Sequence, residues 1–190
     1  MRLLFLLLLA LPLTAAADFE SGVAAAGAGD YGAALRAWQP LAEKGNVDAQ
    51  FNLGLLYENG LGVPQDGATA VLWYRRAAEQ NDRMAQAYLG EMYAQGLLVP
   101  RDDVRALRWF RRAAERGHAA SQYNVGLFYA MGRGVAPSSV LAVAWLTVAL
   151  ENGAKPTELL GQLKEKLSAR DLEEARKLVE EVRRQCRPNS

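Results

Sequence analysis

The chain has 190 residues, 51% of them hydrophobic, with 22 basic and 21 acidic side chains for a formal net charge of +1. A balance this close to zero argues against a polyanion-binding protein. One cysteine and one histidine exclude an internal disulfide and argue against a transition-metal site or a histidine-activated nucleophile, so no cofactor is expected.

The N-terminus runs Met1-Arg2, then an almost unbroken apolar stretch from Leu3 to Leu13, then Thr14-Ala15-Ala16-Ala17-Asp18. A positive start, a short apolar core and small residues before Asp18 are the marks of a secretory leader over 1–17, cleaved after Ala17. The apolar run is too short for a bilayer of about 30 Å, and no cysteine follows it to carry a lipid. The expectation is an exported chain, periplasmic or secreted, with no stable membrane insertion after cleavage and no nucleic-acid partner.

Residues 18–29, rich in glycine and alanine, read as a flexible lead-in or a weak helix. Residues 30–49 hold an N-terminal capping helix, because Ala34, Trp38 and Ala42 stand 36 residues before Ala70, Tyr74 and Ala78. The first helix of that unit reads as degenerate or missing.

Three repeats follow, over 50–85, 86–121 and 122–156. Their frame is set by Leu53-Gly54, Leu89-Gly90 and Val125-Gly126, which recur every 36 residues. In each, a first helix (Ala49, Leu53, Leu56, Tyr57) ends at a glycine suited to a left-handed cap, here Gly60. The turn Gly60-Leu61-Gly62-Val63-Pro64 cannot extend it. A second helix starts behind Asp66, Asp102 or Ser138 as N-cap. It presents one apolar stripe: Ala70, Trp73, Tyr74, Ala77 and Ala78, then Ala106, Trp109, Phe110, Ala113 and Ala114, then Ala142, Trp145, Leu146, Ala149 and Leu150. The tryptophans are expected to fill the core while Gly54, Gly90 and Gly126 let helices approach. No unit of this size buries such a stripe alone, so the units must stack: an all-α protein, an α-solenoid of antiparallel helix pairs.

The departures are as informative. Leu98 replaces the glycine of Gly62 and Gly134, which predicts an altered turn or an exposed apolar side chain. Arg75-Arg76 and Arg111-Arg112 read as a solvated face paired with Glu79 and Glu115. The helix from Val140 to Leu150 is apolar nearly all round and needs a second cover. Residues 157–190 supply it as a C-terminal capping hairpin, with Leu160, Leu163 and Leu167 on one helix and Leu172, Ala175, Leu178, Val179 and Val182 on another behind Ser168. Self-association through the last helix is the alternative use, with Cys186 either idle or forming an intermolecular bond.

The string from Ala49 to Gln80, A-Q-F-N-L-G-L-L-Y-E-N-G-L-G-V-P-Q-D and then A, W-Y-R-R-A-A-E-Q, returning at a period of 36, resembles the Sel-one-like repeat (SLR) family, relatives of tetratricopeptide repeats. The resemblance covers about residues 29–155. It implies a right-handed superhelix whose first helices line a concave, partner-binding face, and an adaptor in signalling, secretion or envelope assembly and not a catalyst. One disulfide-rich exported branch binds penicillin with weak β-lactamase activity; its paired cysteines are absent here. A cell-wall-recognising protein or weak hydrolase is therefore the alternative reading.

No catalytic set competes. His118 lies in a polar turn slot shared with Asn46 and Asp82, Asp102-Asp103 belong to a helix N-terminus, and no Ser-x-x-Lys set of penicillin-recognising enzymes is present. The binding residues are sought where the repeats differ. One stripe of the first helices varies: Asn52, Leu55, Asn59; Tyr88, Glu91, Gln95; Asn124, Leu127, Met131. Amides, an aromatic and apolar groups on one face suit a protein or peptide partner in the cell envelope.

Overall fold

The computed structural model describes residues 13–155 and 158–186, with side chains from Asp18 onward. The leader expected over 1–17 thus lies outside the described residues, apart from the backbone of 13–17, and so do the unit boundary at 156–157 and the tail from 187. The described residues form ten helices and no strand: α1 (Leu13–Gly27), α2 (Tyr31–Glu43), α3 (Val47–Asn59), α4 (Gly67–Glu79), α5 (Arg83–Gln95), α6 (Asp103–Glu115), α7 (Ala119–Met131), α8 (Ser139–Glu151), α9 (Glu158–Lys166) and α10 (Ala169–Gln185). They pack as the pairs α1/α2, α3/α4, α5/α6 and α7/α8, each pair against the next, and α10 covers α8. This is an α-solenoid.

Local chemistry sets the helix ends. Asp66, Asp102, Ser138 and Ser168 accept from the first-turn N–H groups of α4, α6, α8 and α10. Asn46, Asp82 and His118 do the same for α3, α5 and α7. Gly60, Gly96 and Gly132 close the first helices in the left-handed conformation.

Within each pair a glycine of the first helix lies against a large side chain of the second. A Cβ at Gly54 would stand 2.4 Å from the Tyr74 ring, one at Gly90 2.5 Å from Phe110, and one at Gly126 2.7 Å from Leu146. The same contact exists in the N-terminal pair, where a Cβ on Gly22 would meet the Trp38 indole at 2.2 Å. Residues 18–29, expected as a flexible lead-in or a weak helix, are thus helical up to Gly27, and the unit expected to have a degenerate or missing first helix has one. Phe19 and Gly22 match Phe51 and Gly54 once the connection 28–30 is set against the longer 60–66. Trp38 Nε1 donates to the Phe19 carbonyl at 3.2 Å, and the rings lie 6.1 Å apart.

Units are joined by a buried glutamine at the start of each first helix. The side-chain amides of Gln50, Gln86 and Gln122 donate to the carbonyls of Ala42, Ala78 and Ala114 at 2.9–3.0 Å. Gln80 and Asn152 in turn donate to the side-chain oxygens of Gln50 and Gln122. At the middle unit the matching residue is Arg116, which turns to Asn81 and the Arg112 carbonyl, leaving Gln86 Oε1 without a partner among the described residues.

The core differs from expectation at its centre. Trp73 and Trp145 are buried, but Trp109 is only half-buried, and Tyr74 and Phe110 are the largest enclosed rings. Among the described residues Arg75 and Arg111 form no ion pair with Glu79 or Glu115; the guanidiniums of the adjacent Arg76 and Arg112 lie over indoles, 4.5 Å from Trp73 and 4.8 Å from Trp109. As expected, α8 is covered twice, by α7 and by Ala175, Val179 and Val182 of α10. The thiol of Cys186 is buried in the same cluster and pushed up to about 11 by that burial, so it is protonated and shielded from an intermolecular bond in this fold.

The turn of each unit packs on the start of the preceding second helix, and each such contact has one glycine. Gly62 faces Tyr31, Gly134 faces Asp103, and Leu98 faces Gly67. Leu98 keeps the left-handed backbone of the glycine it replaces, at φ 64°, so the turn is unaltered and the side chain is exposed.

Two outcomes follow from these contacts. Phe110→Ala is expected to cost about 3–5 kcal/mol in urea unfolding, and Trp109→Ala clearly less; the reverse ranking would contradict the core assignment. Gly67→Ala, whose Cβ would stand 2.4 Å from Leu98 Cβ and 2.5 Å from its carbonyl oxygen, is expected to cost about 1–3 kcal/mol. Adding Leu98→Gly should recover part of that loss, because one of the two clashes disappears; strictly additive changes would show that the two positions do not share a contact.

Candidate functional site

The first helices α3, α5 and α7 place the variable stripe on neighbouring parallel faces, and two grooves of about 310 Å³ each open between them. The first groove lies between α3 and α5, with Glu58, Asn59, Gln65, Glu91 and Gln95 as its polar wall and Leu97 and Leu98 at its rim. The second lies between α5 and α7, with Gln95, Asn124 and Leu127 beside Phe128 and Arg133. Both are lined by Glu91 and Gln95, so α5 is the shared wall of two adjacent grooves, together called the trough, that span three units.

Five of the nine stripe residues come together here: Asn59, Glu91, Gln95, Asn124 and Leu127. Asn52, Leu55, Tyr88 and Met131 line neither groove. Leu55 is half-buried against the core, Met131 is exposed, and Tyr88 stacks edge-on to Phe51 at 5.3 Å and lies 5.4 Å from Tyr74. The Asn59 side chain donates to the Leu55 carbonyl at 2.9 Å, which leaves its oxygen facing outward as an acceptor.

Sequence reasoning missed Glu58, Gln65, Leu97, Leu98 and Arg133 as groove residues. A signal existed for Glu58: it and the predicted Glu91 are the only carboxylates in the C-terminal halves of the three first helices, and Ala94 and Ala130 stand where Glu58 stands in its own unit.

Glu58 dominates the electrostatics. The Tyr74 hydroxyl donates to Glu58 Oε2 at 2.6 Å, and Gln65 Nε2 donates to the Glu58 carbonyl at 2.8 Å. Burial, then the Glu58 carboxylate, hold the Tyr74 phenol far above the usual tyrosine range. Tyr88 is raised by burial and by the charges of Glu58 and Glu91. Glu91, an exposed residue at the groove wall, is itself raised, first by partial desolvation of its carboxyl and then by the charge of Glu58. Among the described residues neither glutamate forms an ion pair. The one guanidinium in the trough, Arg133, is already engaged: it bonds Asp103 at 2.5 Å and the Ala94 carbonyl at 2.8 Å, and lies 4.4 Å from the Phe128 ring centre. That pair holds the Asp103 carboxyl well below the usual carboxylate range.

The rest of the chain is quiet chemically. The His118 ring caps α7 through Ser121, and burial lowers it below the ordinary histidine range. Among the described residues no His, Cys, Asp and Glu cluster is arranged to hold a metal ion, and no helix is long and apolar enough to cross a membrane.

Comparison with known proteins follows the same frame. A family model described as Sel1 repeat matches residues 47–82, 83–118 and 119–153, each span opening at the first residue of α3, α5 or α7. The crystal structure of a Sel1 repeat protein from Oxalobacter formigenes is 38% identical over 69% of this chain and 97% of that chain, with a TM-score of 0.60. The crystal structure of c5321, a protective antigen present in uropathogenic Escherichia coli strains displaying an SLR fold, is 28% identical over 92% of this chain, with a TM-score of 0.46. This chain spans 46% of that protein's length. No curated protein matches it.

The raised pKa of Glu91 predicts that its ionised carboxyl costs the fold a little at neutral pH. Its folded pKa lies above the unfolded value, so the folded state takes up the proton first as pH falls; the cost is present above the folded pKa and gone below the unfolded one. Glu91→Gln is expected to raise the urea midpoint at pH 7 and to lose that advantage by about pH 4. An equal gain at both pH values would mean that the carboxyl charge is not its source.

Proposed function

Because this chain belongs to the Sel1 repeat family, we propose that it is an exported, non-catalytic scaffold that binds a protein or peptide partner along its first-helix face, the concave side of such a superhelix. Proteins built from this repeat generally act as protein-interaction scaffolds. The reading for this chain rests above all on the two adjacent grooves between α3, α5 and α7, which share Glu91 and Gln95 as a common wall.

Its lining suits an extended segment. An extended backbone carries a donor and an acceptor on every residue and needs side-chain amides to meet them. Asn59, Gln65, Gln95 and Asn124 supply such groups on one side, and Leu127, Leu97 and Leu98 offer shallow apolar contacts beside them. Export is supported by the charged start, apolar core and small residues of 1–17, and it places the partner in the cell envelope.

The test uses the chain expressed with its own leader and recovered from the host envelope. N-terminal sequencing should begin at Asp18; a chain starting at Met1 would remove the export reading. Affinity capture with quantitative mass spectrometry should enrich one envelope protein, lost in the triple variant Asn59→Ala, Gln95→Ala, Asn124→Ala whose melting curve is unchanged. Undiminished capture by that variant would reject this face.

A further inference from the structure

The trough is not electrically neutral, and its imbalance identifies the chemistry of what it binds. The first groove carries two carboxylates, Glu58 and Glu91, and no lysine, arginine or histidine among its lining residues. Neither carboxylate has a cationic partner among the described residues. The nearest guanidinium in the trough, Arg133, is held by Asp103 and by the Ala94 carbonyl and is not available to neutralise them. Two like charges in one partly enclosed groove repel each other, a standing cost that a cation placed between them would reverse.

An independent observation stands at the rim. Leu97 and Leu98 are 62% and 46% exposed, and Leu98 is held in the left-handed conformation where the two sister turns use glycine. A leucine there adds backbone strain and an apolar patch that the fold does not bury. Both leucines line the groove that holds the two glutamates.

Resting on the peptide-binding reading above, we propose that the first groove selects an extended peptide segment carrying a lysine or arginine, whose cationic end seats between Glu58 and Glu91 while an adjacent apolar side chain lies on Leu97 and Leu98. Glu58 is the fixed member of the pair, since the Tyr74 hydroxyl and Gln65 hold it. Glu91 is the free member. The next groove shares only Glu91 of the two carboxylates and has the Asp103-paired Arg133 beside it, so the basic residue is expected at one end of the bound segment and not throughout it.

The experiment uses the full chain, immobilised, and a capped peptide library with one central residue fixed as Lys, Arg, Gln or Glu and all others randomised. Retained peptides are read by mass spectrometry. Lys and Arg sublibraries should be enriched over Gln by about tenfold or more, as for a close charge pair, with Glu depleted and the enrichment falling as salt is raised. Glu91→Gln, which removes a charge but no hydrogen bond, should abolish most of that enrichment; Glu58→Gln should do the same with a small loss of thermal stability through Tyr74. Leu98→Gly should weaken selection for an apolar neighbour and leave the basic preference intact. Lys and Arg enrichment that persists in the double variant Glu58→Gln, Glu91→Gln would overturn the proposal. Retention of Gln-centred peptides alone, lost on Asn59→Ala, Gln95→Ala, Asn124→Ala, would leave the docking face standing and remove only its basic preference; retention of no peptide would remove both.

Discussion

The contact between a glycine of each first helix and a large side chain of its partner is the constraint on which the molecule depends. Gly22, Gly54, Gly90 and Gly126 leave no room for even one carbon between the backbone and Trp38, Tyr74, Phe110 and Leu146. The helix separation in every pair is therefore set by backbone against ring, and the outward faces of α3, α5 and α7 inherit a fixed spacing. It also brings the Tyr74 hydroxyl within reach of Glu58, so the same contact that builds the core anchors a charged side chain at the groove. Phe110 and Leu146 have no hydroxyl, and the other units have no such anchor.

What recurs at 36 residues was legible from the chain alone: the second-helix stripe, the capping residues Asp66, Asp102 and Ser138, and the left-handed glycines; outside that period, the Ser168 cap and the need for a cover on α8 were legible from local pattern. What depends on a loop length or on a choice between adjacent side chains was not. The N-terminal helix escaped notice because its connection to α2 is shorter, which moves Phe19 and Gly22 out of the 36-residue frame. Trp109 and Phe110 are neighbours on one helix, and periodicity cannot tell which of two adjacent rings points to the centre; a rotation of one residue decides it. Arg76 and Arg112 lie over indoles because Trp73 and Trp109 sit one turn before them on the same helix and a weakly hydrated guanidinium stacks on an aromatic face.

Variability along the first helices and groove geometry overlap only in part. Of the nine variable positions, five gather in the trough while Leu55 is drawn into the core and Met131 stays out on the surface. Apart from Glu58 on α3, the groove residues that were missed come from a different part of the unit: Gln65, Leu97, Leu98 and Arg133 belong to the turns, which fold back over the ends of the first helices. Arg133 shows how one turn residue joins three elements, holding α6 through Asp103, the end of α5 through Ala94, and its own helix through Phe128.

The alternation of glycine between Tyr31 and Gly62, Gly67 and Leu98, and Asp103 and Gly134 has a consequence for the history of the array. The units resemble one another closely enough to have been copied, yet they are no longer interchangeable. Were the second unit moved ahead of the first, the Leu98 turn would meet Tyr31 with no glycine on either side, and Gly134 would face Gly67 across a hole. Each junction has been fitted to its neighbours after duplication, so the order of the units is written into their sequences, and a recombined array would have to be refitted at two junctions before it could pack.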